Sequence, residues 1–132
     1  MNTAATLEAP VKAKQKVILC EGNEAAALAV ALARPDMVAV YPITPQSSLV
    51  EHVASLIADG RMDADIVDAE GEHSVLSVLQ GGALAGARTY TATCGPGLAF
   101  MFEPYFRTSG KSMSSYFAQS ISWAHKFTWY SI

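Results

Sequence analysis

The chain has 132 residues, a formal net charge of −3 and 51% hydrophobic residues. This suits one small domain, or part of a larger one, with a packed core, and argues against wholesale disorder. The basic residues are spread along an acidic chain and form no stripe for a phosphate backbone, so nucleic-acid binding is disfavoured. Cys20 and Cys94 stand far apart and outside any C-x-x-C pattern. A disulfide has no support, a reducing, cytoplasmic compartment is the better prior, and two thiols build neither a zinc site nor an iron–sulfur cluster. The longest apolar run, Ala25–Ala33, falls well short of the roughly 20 residues that span a bilayer, so no membrane role is expected. The opening MNTAATLEAPVKAKQ has lysines but no apolar segment behind them; residues 1–15 read as a flexible lead rather than a secretory signal.

Short apolar runs alternate with helical patterns from there on. Lys16–Cys20 (KVILC) reads as a strand ending at Glu21-Gly22. Asn23–Ala33 is an Ala- and Leu-rich helix with Asn23 as its cap and Pro35 as its stop. Met37–Tyr41 is a second strand. Thr44-Pro45 opens the next helix, with threonine at N-cap and proline at N1. Leu49, Val50, Val53, Leu56 and Ile57 form its apolar stripe, and Gly60 suits the position after its end. Asp65–Asp68 is a third strand and Glu72–Ala85 a third helix. Gly81, Gly82 and Gly86 weaken that helix and imply close packing of its backbone on the sheet. Arg88–Cys94 is a fourth strand, Gly95-Pro96-Gly97 a sharp turn, and Leu98–Phe106 a fourth helix that Pro104 kinks or shortens.

This βαβαβαβα order implies an α/β fold with a parallel sheet and helices on its faces. Such sheets bind ligands at the carboxyl ends of their strands, which singles out Tyr41–Gln46, Asp68–His73 and Thr93–Gly97. Residues 111–132 differ. They hold both tryptophans, no acidic residue and no glycine, show no period of 2 or 3.6, and contain no β-branched run that reads as a further strand.

The three strand-end segments carry a resemblance. Y-P-I-T-P at Tyr41–Pro45, E-G-E-H at Glu70–His73 and A-G-A-R-T-Y-T-A-T-C-G-P-G at Ala85–Gly97 resemble, in this order, the thiamine diphosphate-dependent 2-oxoacid:acceptor oxidoreductases, the pyruvate:ferredoxin oxidoreductase family. The likeness is to the pyrimidine-binding domain at the start of the α-subunit and covers roughly Lys16–Gly110. Two longer runs, G-E-H-S-V-L-S-V-L-Q and M-F-E-P-Y-F-R-T-S-G, narrow it to one branch of the family. The resemblance implies a three-layer doubly wound parallel sheet, here incomplete: a lead over 1–15, a partial pyrimidine-binding domain over 16–110 and a divergent tail over 111–132 that is expected to lie outside the family fold. It implies thiamine diphosphate shared with a pyrophosphate-binding β-type subunit. Magnesium and iron–sulfur clusters would sit on other domains or subunits, including an iron–sulfur electron-transfer subunit. The complex would decarboxylate a 2-oxoacid oxidatively, form an acyl-CoA from coenzyme A, and pass electrons to ferredoxin or another acceptor.

Carried over residue by residue, the family's activating glutamate falls on Glu72. A carboxyl group on N1′ of the aminopyrimidine favours the tautomer whose exocyclic nitrogen takes the C2 proton of the coenzyme. Burial raises a carboxyl pKa, as that role requires, while a helix N-terminus lowers it. The competing reading is a glutamate that simply favours a first helical turn. Thr44 matches the threonine that holds the substrate carboxylate; its competing reading is a structural cap. Gly95, with Gly97, would let backbone approach the coenzyme. His73 reads as structural, Glu70 as solvated or paired with a nearby base, and Cys94 as a small buried filler. Gly81, Gly82 and Gly86 make no dinucleotide fingerprint.

One departure stands out. The family's substrate-clamping arginine would fall at Ser122, no arginine follows Arg107, and the R-L-P-like continuation is missing. The isolated chain is therefore expected to be poorly stable and catalytically silent. Two rivals are a non-catalytic fragment that keeps only the subunit-interaction face and an unrelated flavodoxin-like binding domain.

Overall fold

The computed structural model describes residues 17–109 and, as backbone, the strand at residues 115–120. The expected lead over 1–15, the slot at Ser122 and the end of the expected tail lie outside the described residues. The elements are α1 (Gly22–Ala33), β1 (Met37–Val40), α2 (Ser47–Ala58), β2 (Asp65–Asp68), α3 (Glu72–Leu84), β3 (Thr89–Cys94), α4 (Gly95–Phe100), α5 (Phe102–Ser109) and β4 (Ser115–Ser120). All strand pairs are parallel, in the order β2-β1-β3-β4.

The alternation along β1 sorts the core into two faces. Val38 and Val40, with Tyr90 and Ala92 of β3, meet Ala26, Ala27 and Val30 of α1 and Leu49, Val53 and Leu56 of α2. Ala39, with Met37 and Tyr41, meets Val75, Leu76 and Leu79 of α3 and Met101. Helices thus cover both faces, and the three-layer α/β architecture is the one expected. Strand β3 is buried along its whole length, as a central strand requires, and burial pushes the Tyr90 hydroxyl pKa well up. Strand β2 is mostly exposed; it sits at an edge and carries Asp65 and Asp68, charges that blunt an open ladder.

The helix ends follow local chemistry. Arg34 closes α1 in the left-handed region at φ 51°, its N–H returns to Ala31 O, and buried Pro35 follows. Gly60 takes φ +68° after α2, where a left-handed residue is needed. Gly82 faces the sheet so closely that a Cβ would overlap the end of Met37 and lie 3.0 Å from Thr89 Cγ2; beside Gly81 there is open space. At the amino ends of the strands, Arg88 N–H donates to Asp36 Oδ2 at 2.6 Å, Asp36 N–H donates to Arg88 O at 2.7 Å, and the Arg88 guanidinium donates to Ala33 O. On the far face, Gln80 Nε2 donates to Pro104 O and, at 2.7 Å, to Thr108 Oγ1, tying α5 to α3. Replacing Gln80 with alanine is expected to cost about 1–2 kcal/mol, read as a lower denaturation midpoint.

Several expectations are corrected. Residues 17–21 form no strand, and Val17 and Leu19 are fully exposed. A strand needs a ladder partner, and none of the described strands pairs with these residues. Asn23 caps nothing; it lies inside α1 and its side chain reaches α2 instead. Gly95-Pro96-Gly97 is the first turn of α4 rather than a separate turn, with proline at a position where its missing N–H is harmless. The break that follows falls at Met101, and Pro104 sits in the first turn of α5 for the same reason. Beyond Gly110, where no strand was expected, β4 pairs with β3 from Thr89↔Ser115 to Cys94↔Ser120. Its signal was Tyr116 and Phe117, aromatic strand formers without the β-branched run that was sought.

Candidate functional site

The sheet order changes direction at β1. The chain leaves β1 for β2 on one side and returns to β3 on the other, so the switch point lies at the carboxyl ends of β1 and β3. The loop after β1 and the start of α4 meet there, and the start of α3 joins them.

The loop after β1 is held from both sides. Asn23 Nδ2 donates to Pro45 O at 3.1 Å and to Ser48 Oγ at 2.5 Å. Gln46, fully buried, donates from Nε2 to Tyr41 O at 3.2 Å, while its Oε1 has no partner among the described residues. The Thr44-Pro45 peptide is cis, and α2 begins only at Ser47, with Gln46 in the N-cap position. Thr44 is therefore not the cap that the sequence suggested. It is exposed, and its hydroxyl makes no hydrogen bond among the described residues.

Glu72 is the first residue of α3 and is only 7% exposed. No donor among the described residues reaches its carboxylate. It borders a cleft lined also by Tyr41, Ile43, Glu70, Gly71, His73 and Phe100. A buried carboxylate is costly unless something pairs with it, and no described residue does so here. Its close approach to the sheet depends on Gly97: a Cβ there would overlap Thr93 Oγ1 and stand 2.8 Å from Glu72 Oε1.

The neighbours of Glu72 are occupied elsewhere. Glu70 is exposed and accepts from Ser74 Oγ at 2.7 Å, which holds its carboxyl below the usual range; its partner is a serine rather than the base that was considered. His73 Nε2 lies 2.9 Å from Glu103 Oε2, which also accepts from Arg107 Nη2 at 3.0 Å. Cys94 is buried at the end of β3, as a filler would be. Gly95 begins α4 beside open space, so the tight glycine of the pair is Gly97. Among the described residues no cluster of three or more metal-ligating side chains occurs. No helix there is long and apolar enough to cross a membrane.

The structure thus brings Glu72, the loop after β1 and the α4 turn to one edge. Tyr41 and Ile43 lie in the segment that the strand-end rule and the Y-P-I-T-P motif marked, without a role of their own there, and Phe100 had no local signal.

A parallel α/β sheet with a buried carboxylate at its switch point, unpaired among the described residues, is the frame of a cofactor-binding domain. The chain belongs to the family described as "Pyruvate flavodoxin/ferredoxin oxidoreductase, thiamine diP-bdg", which matches residues 28–119. It is 89% identical over 114 residues to the NADH-dependent phenylglyoxylate dehydrogenase subunit alpha of Aromatoleum evansii, covering 83% of this chain and 27% of that protein. This is the branch to which the two longer runs pointed. It is 47% identical over 95 residues to the pyruvate synthase subunit PorA of Methanocaldococcus jannaschii, covering 72% of this chain and 24% of that one. Among solved structures, the 2-oxoglutarate:ferredoxin oxidoreductase of Magnetococcus marinus matches with a TM-score of 0.74 and 28% identity, over 83% of this chain and 19% of that one. The chain spans about a quarter of the length of the curated relatives it matches. Family membership overturns the alternative of an unrelated flavodoxin-like domain.

Proposed function

We propose that the chain is the pyrimidine-binding portion of the α-subunit of a 2-oxoacid:acceptor oxidoreductase that uses thiamine diphosphate. The observation that carries this reading is the carboxylate of Glu72, buried without a donor at the switch point of a chain in this family. The cleft fits the coenzyme's pyrimidine: it sets the buried carboxyl group of Glu72 among the apolar and aromatic surfaces of Tyr41, Ile43 and Phe100, with Glu70 turned to solvent, which suits a flat ring with one nitrogen to be paired. Bound there, thiamine diphosphate would supply the carbanion chemistry that cleaves the 2-oxoacid.

The residues of the chain orient and tune. Glu72 holds the proton shared with N1′ of the pyrimidine. Gly95, beside open space at the start of α4, lets a ligand approach the backbone. Thr44, its hydroxyl exposed and uncommitted, anchors the substrate carboxylate. Changing it to alanine is expected to raise the KM for the 2-oxoacid about tenfold, with kcat little changed, which steady-state kinetics of the assembled complex would read.

The partners in this reading are a pyrophosphate-binding β-type subunit, which brings magnesium, and an iron–sulfur electron-transfer subunit. Phe100 is exposed at the cleft and Phe102 and Phe106 are exposed on α5, and apolar surface of this kind supports burial against such a partner. The substrate that the 89% identical relative favours is phenylglyoxylate. Its product would be an acyl-CoA, and its electrons would go to ferredoxin or another acceptor, NADH formation being the choice that the relative's name favours. The chain alone is silent, because the diphosphate and metal sites are elsewhere.

The test is co-expression with the partner subunits. Reduction of a viologen dye that requires phenylglyoxylate, coenzyme A and thiamine diphosphate, and that is absent from the chain alone, is the expected result. Turnover by the isolated chain, or an assembled complex that ignores thiamine diphosphate, would overturn it.

A further inference from the structure

Thr93 carries a buried hydroxyl with no hydrogen-bond partner among the described residues. It lies in β3 and is 1% exposed. Native structures seldom leave such a group unmatched. What lies beside it is Glu72. The position that a Cβ of Gly97 would occupy is less than 3 Å from Thr93 Oγ1 and also less than 3 Å from Glu72 Oε1. A hydroxyl with no acceptor, on β3, and a carboxylate with no donor, on α3, therefore border one gap. That gap exists only because residue 97 has no side chain.

We propose that Thr93 is a positioning residue for Glu72: its O–H donates to the carboxylate oxygen that faces Gly97 and leaves the other oxygen to the ligand in the cleft. The proposal rests on the reading of Glu72 given above and deepens it. One oxygen fixed from behind sets the direction of the other. A donor to a carboxylate also favours its charged form over its neutral one. The remaining titratable groups at the cleft are Glu70, His73 and Tyr41, with Glu103 and Arg107 behind His73 on α5. Glu70 and His73 are committed to Ser74 and Glu103, and a change at Thr93 leaves those contacts in place.

The experiment follows the Glu72 carboxyl directly. In the complex assembled without thiamine diphosphate, the infrared band of the protonated carboxyl is titrated, with Glu72→Gln as the blank. Thr93→Val removes the donor and keeps the branched shape; Thr93→Ala is a second donor-free variant should valine perturb folding; Thr93→Ser keeps the donor. Thr93→Val and Thr93→Ala are expected to raise the midpoint of Glu72 by about one pH unit, and Thr93→Ser to return it to that of the parent. An unmoved midpoint in the donor-free variants, or a serine variant that behaves like them, would overturn the proposal. The reading of Glu72 is checked separately by calorimetry: Glu72→Gln is expected to weaken thiamine diphosphate binding about tenfold or more. If that affinity is unchanged, the coenzyme contact falls, while the infrared titration still decides whether Thr93 governs the carboxyl.

Discussion

Glu72→Gln is expected to lower 2-oxoacid oxidation by the assembled complex about 10²–10⁴-fold, the usual worth of a positioned acid–base group, without weakening the fold. The two halves of this expectation have one physical source. Glu72 is nearly enclosed and, the hydroxyl proposed for Thr93 apart, finds no donor among the described residues, so its charge adds little to the stability of the free chain. Glutamine has the same shape and no charge, and it can neither take up nor release the proton. The melting temperature should therefore stay level or rise while turnover collapses. Turnover assays and thermal melts on the same preparations check this. A parallel fall in both would mark Glu72 as structural, and full turnover would remove it from the site.

Gly97→Ala is expected to destabilise the chain by about 1–3 kcal/mol and to remove activity as well. The added methyl overlaps Thr93 Oγ1 and stands 2.8 Å from Glu72 Oε1 and 2.9 Å from Glu72 Cγ. Neither neighbour yields cheaply: Thr93 is short and lies on a fully buried strand, and Glu72 is fixed at the first position of a helix. The cause is contact rather than backbone strain. Alanine is the better helix former by about 1 kcal/mol, so the measured loss is what remains after that gain. Gly95→Ala is the matched control, because nothing lies within 4 Å of its would-be Cβ, and it should leave the melting temperature unchanged or raise it. Urea denaturation of the two variants beside the parent separates the effects.

Much of the frame is legible without coordinates. The i, i+3, i+4 stripe of α2, the Gly60 stop, the short run at Asp65–Asp68 and the apolar centre of α3 each carry their own local signal, and the structure bears them out. The local readings that failed share a cause. Lys16–Cys20 has the composition of a strand, but pairing depends on whether a neighbouring slot is free. Thr44-Pro45 has the composition of a helix start, but Asn23 and Gln46 draw those residues into a loop, and the helix begins later. Ser115–Ser120 has too few β-branched residues to read as a strand, yet it lies along β3, whose outer edge offers a full row of backbone partners. In each case long-range pairing, made or missing, outweighed a local preference.

The order and period of the residues alone determine that this is a parallel α/β chain whose chemistry falls just after its strands, because helix and strand periods and the connection lengths are local properties. The motifs place Glu72 among the residues that matter. Only the tertiary structure decides that β1 lies between β2 and β3, and hence that the loop after Val40 and the α4 turn share one edge with the start of α3. It alone shows that Gly97 rather than Gly95 is the glycine that admits the carboxylate, and that Thr93 lies beside it. Strand neighbours and the space beside a missing Cβ are set by non-local pairing and packing, and no short window of residues encodes them.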